Sequence, residues 1–191
     1  SDLKSPAMLM YLDNFNSAAT ADETNDERMK RRLQKLSESM DDSAKAQMMQ
    51  RLQQRRKNQG LNENYAREVM ELHTLGVDGG YSQSDVTNAA KILTGWTIYP
   101  FENSVGKGIR NVIEKMDETQ LKNNGFIHEG DFLFAMNRHD KAEKTVLGKK
   151  FVAGAGYEEG IALLKMLAHH PSTAMFISKK LAARFVTDEP P

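Results

Sequence analysis

The chain has 191 residues, and its 26 Lys and Arg are balanced by 26 Asp and Glu, so the formal net charge is zero. Balanced charge gives no overall field for nucleic acid or an anionic membrane, and a mean hydropathy of −0.60 without a long apolar run excludes a membrane-spanning helix. The absence of cysteine leaves histidine, carboxylate and carbonyl groups as the only ligands for a metal ion. The length suits a single domain over residues 1–191.

The N-terminal third divides into a short apolar helix and a charged segment. Ser5 and Pro6 precede an apolar run, which predicts a helix with proline in its first turn. Residues 20–60 combine dense charge with apolar residues at helical spacing, which predicts an amphipathic helical segment or insertion. No aromatic residues interleave its basic clusters, so we predict no nucleic-acid partner, whereas its methionines suit a protein-binding face.

Residues 61–98 organise the rest of the chain and read as helix, glycine turn, helix. In the first helix Tyr65, Val69 and Met70 share one arc, which predicts an amphipathic helix. The opposite arc is either a solvated charge ladder or the wall of a cleft that binds a cation or a polar substrate. On the cleft interpretation the catalytic candidates are Glu68 and Glu71, and the substrate-binding candidates are Glu63, Asn64 and Arg67.

His73 falls on the apolar arc of this helix. That position predicts either a buried imidazole bonded to the backbone or a cation at the helix C-terminus. His73 is also a catalytic candidate, but it would need partners from elsewhere in the chain.

The turn that follows holds two further candidates. Gly79 and Gly80 are expected to supply positive φ, and Ser82 with Asp85 predicts a capping box. Asp78 and Asp85 also match the spacing of the latter half of a calcium loop, which makes them weak metal candidates. A calcium loop would need carboxylates at two earlier positions, where this chain has Thr and Gly.

The stretch NENYAREVMELHTLGVDGGYSQSDVTNAAKILTGWT resembles the signature of the bacterial family DUF1800, a domain of unknown function. SPAMLMYLDN, NRHDKAEKTVLGKKF and HHPSTAMFISKKLAARFVTDEPP resemble the other blocks of that family, in the same order. The resemblance implies no established activity. It does imply an internal piece of a larger exported protein, located in the periplasm or outside the cell.

Beyond the signature the pattern weakens. Trp96 is expected to anchor packing beneath the glycine turn and is also a candidate for substrate contact. Residues 99–126 predict a loop with one short helix, and residues 128–151 predict a small β-hairpin. His139 and Asp140 lie in the turn of that hairpin. They are candidates for a metal ligand or an acid/base pair, and the alternative is ordinary turn chemistry in which Asp140 bonds its own backbone.

Residues 157–187 predict a pair of apolar helices broken at His169, His170 and Pro171. Both helices are expected to be core elements. In the second, the residues one turn apart along the predicted core face are Ala174, Ile177, Leu181 and Phe185.

The predicted architecture is a mainly α, compact helical domain around the helix-turn-helix pair, with a short β-hairpin and a charged helical segment near the N-terminus. Two functions are predicted. The first is an accessory or interaction domain of an exported protein that contacts a protein or a glycan. The second is a metal-assisted hydrolase that uses a divalent metal, in which the signature carboxylates and His73 converge with His139 and Arg67 binds an anionic group.

Overall fold

The structure, a computed structural model, describes residues 2–19, 60–99 and 113–186. Helices account for 51% of these residues and strands for 13%, the latter in two small sheets. The chain is therefore a mixed α/β protein, and the prediction of a mainly α helical domain with one short β-hairpin was wrong. The strands contain only three or four residues each, too few for a period of two to stand out in a sequence. The predicted charged segment, residues 20–60, lies outside the described residues except for Gly60.

The helices of the described residues vary in length, and short helical turns at Asp2–Lys4, Asn14–Asn16 and Met136–Arg138 connect them to other elements. The first helix begins as its sequence predicts, since the Ser5 hydroxyl accepts a hydrogen bond from the Met8 amide. The helices are α1 (Pro6–Tyr11), α2 (Glu63–Glu71), α3 (Gln83–Ile92), α4 (Glu118–Asn123), α5 (Tyr157–Ala168) and α6 (Pro171–Phe185).

The predicted helix pair of the signature corresponds to α2 and α3. The Asn62 side chain caps α2 by accepting from the Tyr65 amide, and the predicted capping box of Ser82 and Asp85 at the start of α3 is confirmed. Positive φ in the turn between them occurs at Gly76 and Gly80 rather than at two adjacent glycines. The turn brings α2 and α3 into direct contact.

The core lies between α2, α3 and α5, with the first sheet beside them. Each helix contributes the arc predicted from its apolar spacing, because the hydrophobic effect favours burying that stripe. The buried core residues of these three helices are Tyr65, Ala66, Val69, Met70, Val86, Ala89, Ala90, Ile92, Leu163 and Leu167. The core role predicted for the helix that is now α5 is thus confirmed.

A three-stranded antiparallel sheet contains β1 (Trp96–Ile98), β2 (Phe126–Glu129) and β3 (Phe132–Ala135), with β3 in the centre. A two-stranded sheet pairs β4 (Lys144–Val146) with β5 (Lys149–Phe151). The predicted hairpin was therefore wrong in its pairing, because β3 pairs with β1 and β2 instead of with β4.

Helix α6 is placed differently from its prediction. Its predicted core face is exposed: 39% of Ile177, 54% of Leu181 and 79% of Phe185 remain accessible to solvent. The other side of α6 contacts the domain, where Thr173 is buried and Phe176 lies against Gly76. Helical periodicity identifies which residues share a face but not which face becomes covered, and this limit explains the error.

Candidate functional site

The polar arc of α2 forms hydrogen bonds with α3. The carboxylate of Glu63 accepts from Thr87 Oγ1 at 2.7 Å and from Gln83 Nε2 at 2.8 Å. Arg67 donates to Gln83 Oε1 through Nη2 and to Glu71 Oε1 through Nη1, the latter at 3.2 Å. We call Glu63, Arg67, Glu71, Gln83 and Thr87 the interhelix ladder. Both oxygens of Glu63 are engaged within it, so the ladder joins two helices and does not form the free wall of a cleft.

Tyr81 extends the interhelix ladder at its far end. Its hydrogen bond, together with the guanidinium of Arg67, lowers the pKa of Glu71 against the opposing effect of burial. Burial, followed by the hydrogen bond to Glu71, raises the pKa of Tyr81 to about 12. Both pKa shifts therefore arise from burial and from the contacts among Glu71, Tyr81 and Arg67.

The remaining candidates of the signature do not share the hydrogen bonds described for the interhelix ladder, although the charge of Asp78 helps to raise the pKa of Tyr81. Asn64 on α2 and Asp78 in the following turn are exposed, and Glu68 on α2 is half-buried. His73 is exposed as well, because α2 ends at Glu71 and the following residues form a turn. The expected buried imidazole was therefore wrong, and His73 lies just beyond the helix C-terminus.

Asp85 is engaged in local structure. Its Oδ2 accepts from the Ser82 amide and hydroxyl at 2.8 and 2.7 Å, while its Oδ1 accepts from the Leu147 amide at 2.7 Å. Burial raises its pKa, but these hydrogen bonds outweigh that effect and lower the pKa overall. Asp85 thus caps α3 and also fixes the turn between β4 and β5.

The structure buries His139, since none of its side chain is accessible to solvent. Its Nδ1 lies 2.9 Å from the carbonyl oxygen of Thr94, and its Nε2 lies 3.2 Å from Oε2 of Glu159. The edge of its ring also contacts Phe134. The imidazole therefore bridges the end of α3 and the start of α5.

Lys144 and Glu159 complete the site. Lys144 Nζ lies 2.9 Å from Glu159 Oε2, and only 1% of each side chain is accessible. The same ammonium group donates to the backbone carbonyl of Asp140 and lies 3.4 Å from the Asp140 carboxylate. We call His139, Asp140, Lys144 and Glu159 the buried ionic cluster.

Three separate segments position the buried ionic cluster. The Asp140 amide donates to Thr94 Oγ1 at 2.8 Å, which fixes the loop after β3 against the end of α3. Lys144 points inward because it shares the buried face of β4 with Val146. Glu159 is in the first turn of α5, where the helix dipole stabilises a negative charge.

Hydrogen-bond geometry assigns the protons of the cluster. The Thr94 carbonyl can only accept, so Nδ1 of His139 must carry a hydrogen. Nε2 then faces a carboxylate oxygen of Glu159, which requires another proton on the imidazole or on the carboxyl group. The other oxygen of Glu159, Oε1, is buried without a hydrogen-bond partner.

The buried ionic cluster holds three segments together, and the side chains of His139, Lys144 and Glu159 are almost inaccessible to solvent. Within residues 2–19, 60–99 and 113–186, no three His, Asp or Glu side chains converge as ligands for one metal ion. His139 forms hydrogen bonds with Thr94 and Glu159, neither of which belongs to the interhelix ladder. The convergence expected for a hydrolase site is not formed by these contacts.

Sequence reasoning missed Thr94, Lys144 and Glu159. A signal existed for Glu159, because it lies one and two helical turns before the buried Leu163 and Leu167. A signal existed for Lys144 too, since it alternates with Val146 across a single exposed residue. Charged residues at apolar positions mark a buried pair, because an unpaired charge is too costly to bury.

A second group of polar side chains surrounds a surface recess of about 320 Å³ beside β2 and β3. Lys4 Nζ donates to Glu129 Oε2 at 2.8 Å and contacts the hydroxyl of Tyr157. Burial opposes its charge, but these hydrogen bonds raise the pKa of Lys4, and the same contact lowers the pKa of Glu129. The recess is lined by Lys4, Ser5, Pro6, Glu129, Asp131 and Phe132.

Trp96 lies entirely in the core, which confirms its expected role as a packing anchor. Its ring packs edge-on against Phe132 and stacks with Tyr157. Gly160 lies directly against the indole, where an added Cβ would be 2.3 Å from Cζ2. As a candidate for substrate contact, Trp96 therefore lies beneath the surface.

The helices of the described segments are all too short or too polar to cross a bilayer. The sequence model of the family described as "Protein of unknown function (DUF1800)" matches residues 2–191. No curated protein and no solved structure matches the chain. Because the family match covers nearly the whole length, the chain belongs to the DUF1800 family of proteins of unknown function.

Proposed function

We propose that this chain is a non-enzymatic interaction domain that binds a partner protein through the outward side of α6. The observation that supports this proposal is the exposure of large apolar side chains along that side. We call the set the α6 apolar face, and its exposed fractions are 74% for Met175, 39% for Ile177, 54% for Leu181, 79% for Phe185 and 81% for Val186.

The members of the α6 apolar face lie on one side of the helix, with Ser178 and the half-buried Ala182 among them. At about 100° per residue, its five members occupy roughly half of the helix circumference, from Ile177 at one edge to Val186 at the other. Large contiguous apolar patches are uncommon on monomeric proteins and mark interaction sites. The face has few hydrogen-bonding groups, which favours a protein partner over a glycan.

The contacts on the inner side of α6 hold this orientation. The Thr173 hydroxyl donates to the Leu167 carbonyl at 2.7 Å, and Lys180 Nζ donates to the Leu72 carbonyl at 3.4 Å. Phe176 fits against Gly76, where an added Cβ would be only 2.7 Å from the ring. Rotating α6 to bury its apolar face would break these contacts.

Crosslinking in the source cells tests the proposal. A photo-reactive amino acid at position 181 should give one discrete protein adduct, whereas the same group at position 183, on the opposite side of α6, should give none. Phe185→Glu should remove the adduct at 181. Equal labelling from the two positions, or an adduct that survives Phe185→Glu, would count against the proposal.

The alternative function is a metal-assisted hydrolase that uses the Glu, Arg and His side chains of the signature. Glu63, Arg67 and Glu71 are engaged in the interhelix ladder and His139 in the buried ionic cluster, whereas His73 is exposed beyond the end of α2. Elemental analysis after dialysis, combined with thermal melts with and without a chelator, tests it directly. A stoichiometric metal whose removal lowers the melting temperature would make the hydrolase the better proposal.

We further propose that the domain acts in the periplasm or outside the cell, as part of an exported bacterial protein. Support comes from the family resemblance of the signature. Fractionation of source cells with an antibody against the domain tests this location, and recovery with cytoplasmic markers would contradict it.

A further inference from the structure

We infer that the partner of the α6 apolar face presents an amphipathic helix flanked by acidic side chains. This inference rests on the proposed function and adds the chemistry of the partner. The observation that supports it is the positive charge on both borders of the α6 apolar face.

Cations lie at both edges of the α6 apolar face. At about 100° per residue, Arg184 follows Ile177 at one edge, and Lys179 follows Val186 at the other. Both cations are exposed, and residues 171–186 contain no Asp or Glu. In the described part of the chain, no acidic side chain pairs with either cation. A partner with carboxylates on both flanks of an apolar stripe complements this pattern.

The shape of the face suits a helix. Ile177, Leu181 and Phe185 form a ridge at successive i, i+4 positions, and such ridges fit the grooves of a second helix. Helix α6 has 15 residues, which gives a contact length of about 22 Å or four turns. A partner helix of similar length that lies between this ridge and Met175 would direct one flank towards Arg184 and the other towards Lys179.

Two other occupants fit the charges less well. A symmetric pair of two copies would juxtapose cationic edges with no acid on either α6, so like charges would oppose it. An anionic membrane attracts clusters of roughly four to eight basic residues, whereas α6 has three and the whole chain has no net charge. Charge complementarity therefore favours an acidic protein helix.

Fluorescence anisotropy with designed helical peptides tests the inference on the full 191-residue chain. The two probes share one Leu and Ile stripe and differ only in having Glu or Lys at the flanking positions. We expect the Glu-flanked peptide to bind about tenfold more tightly at low salt, with the difference shrinking as salt increases. The variant Lys179→Glu/Arg184→Glu should reverse the preference, and its circular dichroism should match that of the parent.

The outcomes separate the inference from the proposed function. Equal binding of both peptides would overturn the acidic partner but leave docking through the apolar face intact. Stronger binding to vesicles of anionic phospholipid than to either peptide would overturn it in favour of a membrane. Concentration-dependent dimers in sedimentation, abolished by Leu181→Glu, would overturn it in favour of a second copy. Absence of peptide binding together with no position-specific crosslinking at 181 would overturn the proposed function as well.

Discussion

Glu159 brings one buried carboxylate against the Lys144 ammonium and the His139 imidazole. Its Oε2 lies 2.9 Å from Lys144 Nζ and 3.2 Å from His139 Nε2, while its Oε1 has no partner. A buried pair contributes little net stability when complete, but removing one member leaves the other charge buried and uncompensated. The cluster therefore selects one arrangement of three segments more than it adds stability.

Glu159→Gln should lower the free energy of unfolding by about 3–5 kcal/mol, because the Lys144 ammonium would lose the closer and more deeply buried of its two carboxylate partners. Urea denaturation measures the change. The matched control is Glu158→Gln, since Glu158 is an exposed neighbour in the same helical turn, and we expect a change within about 0.5 kcal/mol.

Replacing both members of the Lys144–Glu159 pair with apolar residues, as in Lys144→Met/Glu159→Leu, should recover much of that loss, because the Lys144 charge would leave the core together with the Glu159 carboxylate. A loss for Glu159→Gln no larger than for Glu158→Gln would show that the pair does not hold the fold.

Gly160→Ala should destabilise the chain by about 1–3 kcal/mol, because the new Cβ would lie 2.3 Å from the Trp96 ring. Trp96 is the only tryptophan, so its emission spectrum reports the site directly. We expect a red shift of the emission and a lower melting temperature. Gly60→Ala is the control, since its Cβ would meet nothing within 4 Å. Unchanged emission in Gly160→Ala would contradict the packing described.

At the scale of elements, Asp85 connects α3 to the β4–β5 turn. Leu147 in that turn has a φ of 49°, a left-handed conformation unfavourable for a branched side chain, and Gly148 follows with 75°. The Asp85 carboxylate accepts from the Leu147 amide and so helps to hold this conformation.

Asp85→Asn should therefore cost about 1–2 kcal/mol near neutral pH. Because the folded-state pKa of Asp85 is lowered, its contribution is present above the ordinary value of 3.8 and is lost as the pH falls through the folded-state value. Unfolding free energies of both proteins should accordingly converge in acid. Asp78→Asn is the exposed control and should show no such convergence. A constant difference between wild type and Asp85→Asn down to low pH would contradict this role.

Elements with strong local signals could be predicted from the sequence. The capping box of α3 was correct because it depends on residues three apart, and the cores of α2 and α5 were correct because an apolar stripe must be buried. Strand β1 was missed because Trp96–Ile98 is short and becomes a strand only by pairing with β3. His139 was recognised as a candidate, but its partners Lys144 and Glu159 meet it only through tertiary folding.

At the scale of the whole molecule, the placement of α6 was the largest error, and it supports the proposed function. A local pattern predicts an amphipathic helix, whereas the side that is covered depends on the neighbouring elements. Thr173 and Phe176 contact the domain and leave the stronger apolar stripe outside.

Leu181→Glu/Phe185→Glu should change the free energy of unfolding by no more than about 0.5 kcal/mol, because both side chains are exposed. The same variant should lose the partner adduct. Chemical denaturation measures the change in unfolding free energy. The control is Ala183→Glu, which introduces the same charge at an exposed site on the other side of α6. A loss of several kcal/mol would show that the face is covered within the folded chain and would contradict the proposal.

The α6 apolar face also determines how the isolated chain should behave in concentrated solution. At a pH near the sequence pI of about 7.0, electrostatic repulsion between molecules is minimal while the apolar surface stays exposed. Solubility should therefore be lowest near neutrality and should improve on moving the pH away from 7 in either direction. Turbidity across a pH series should show this minimum, and Leu181→Glu/Phe185→Glu should flatten it.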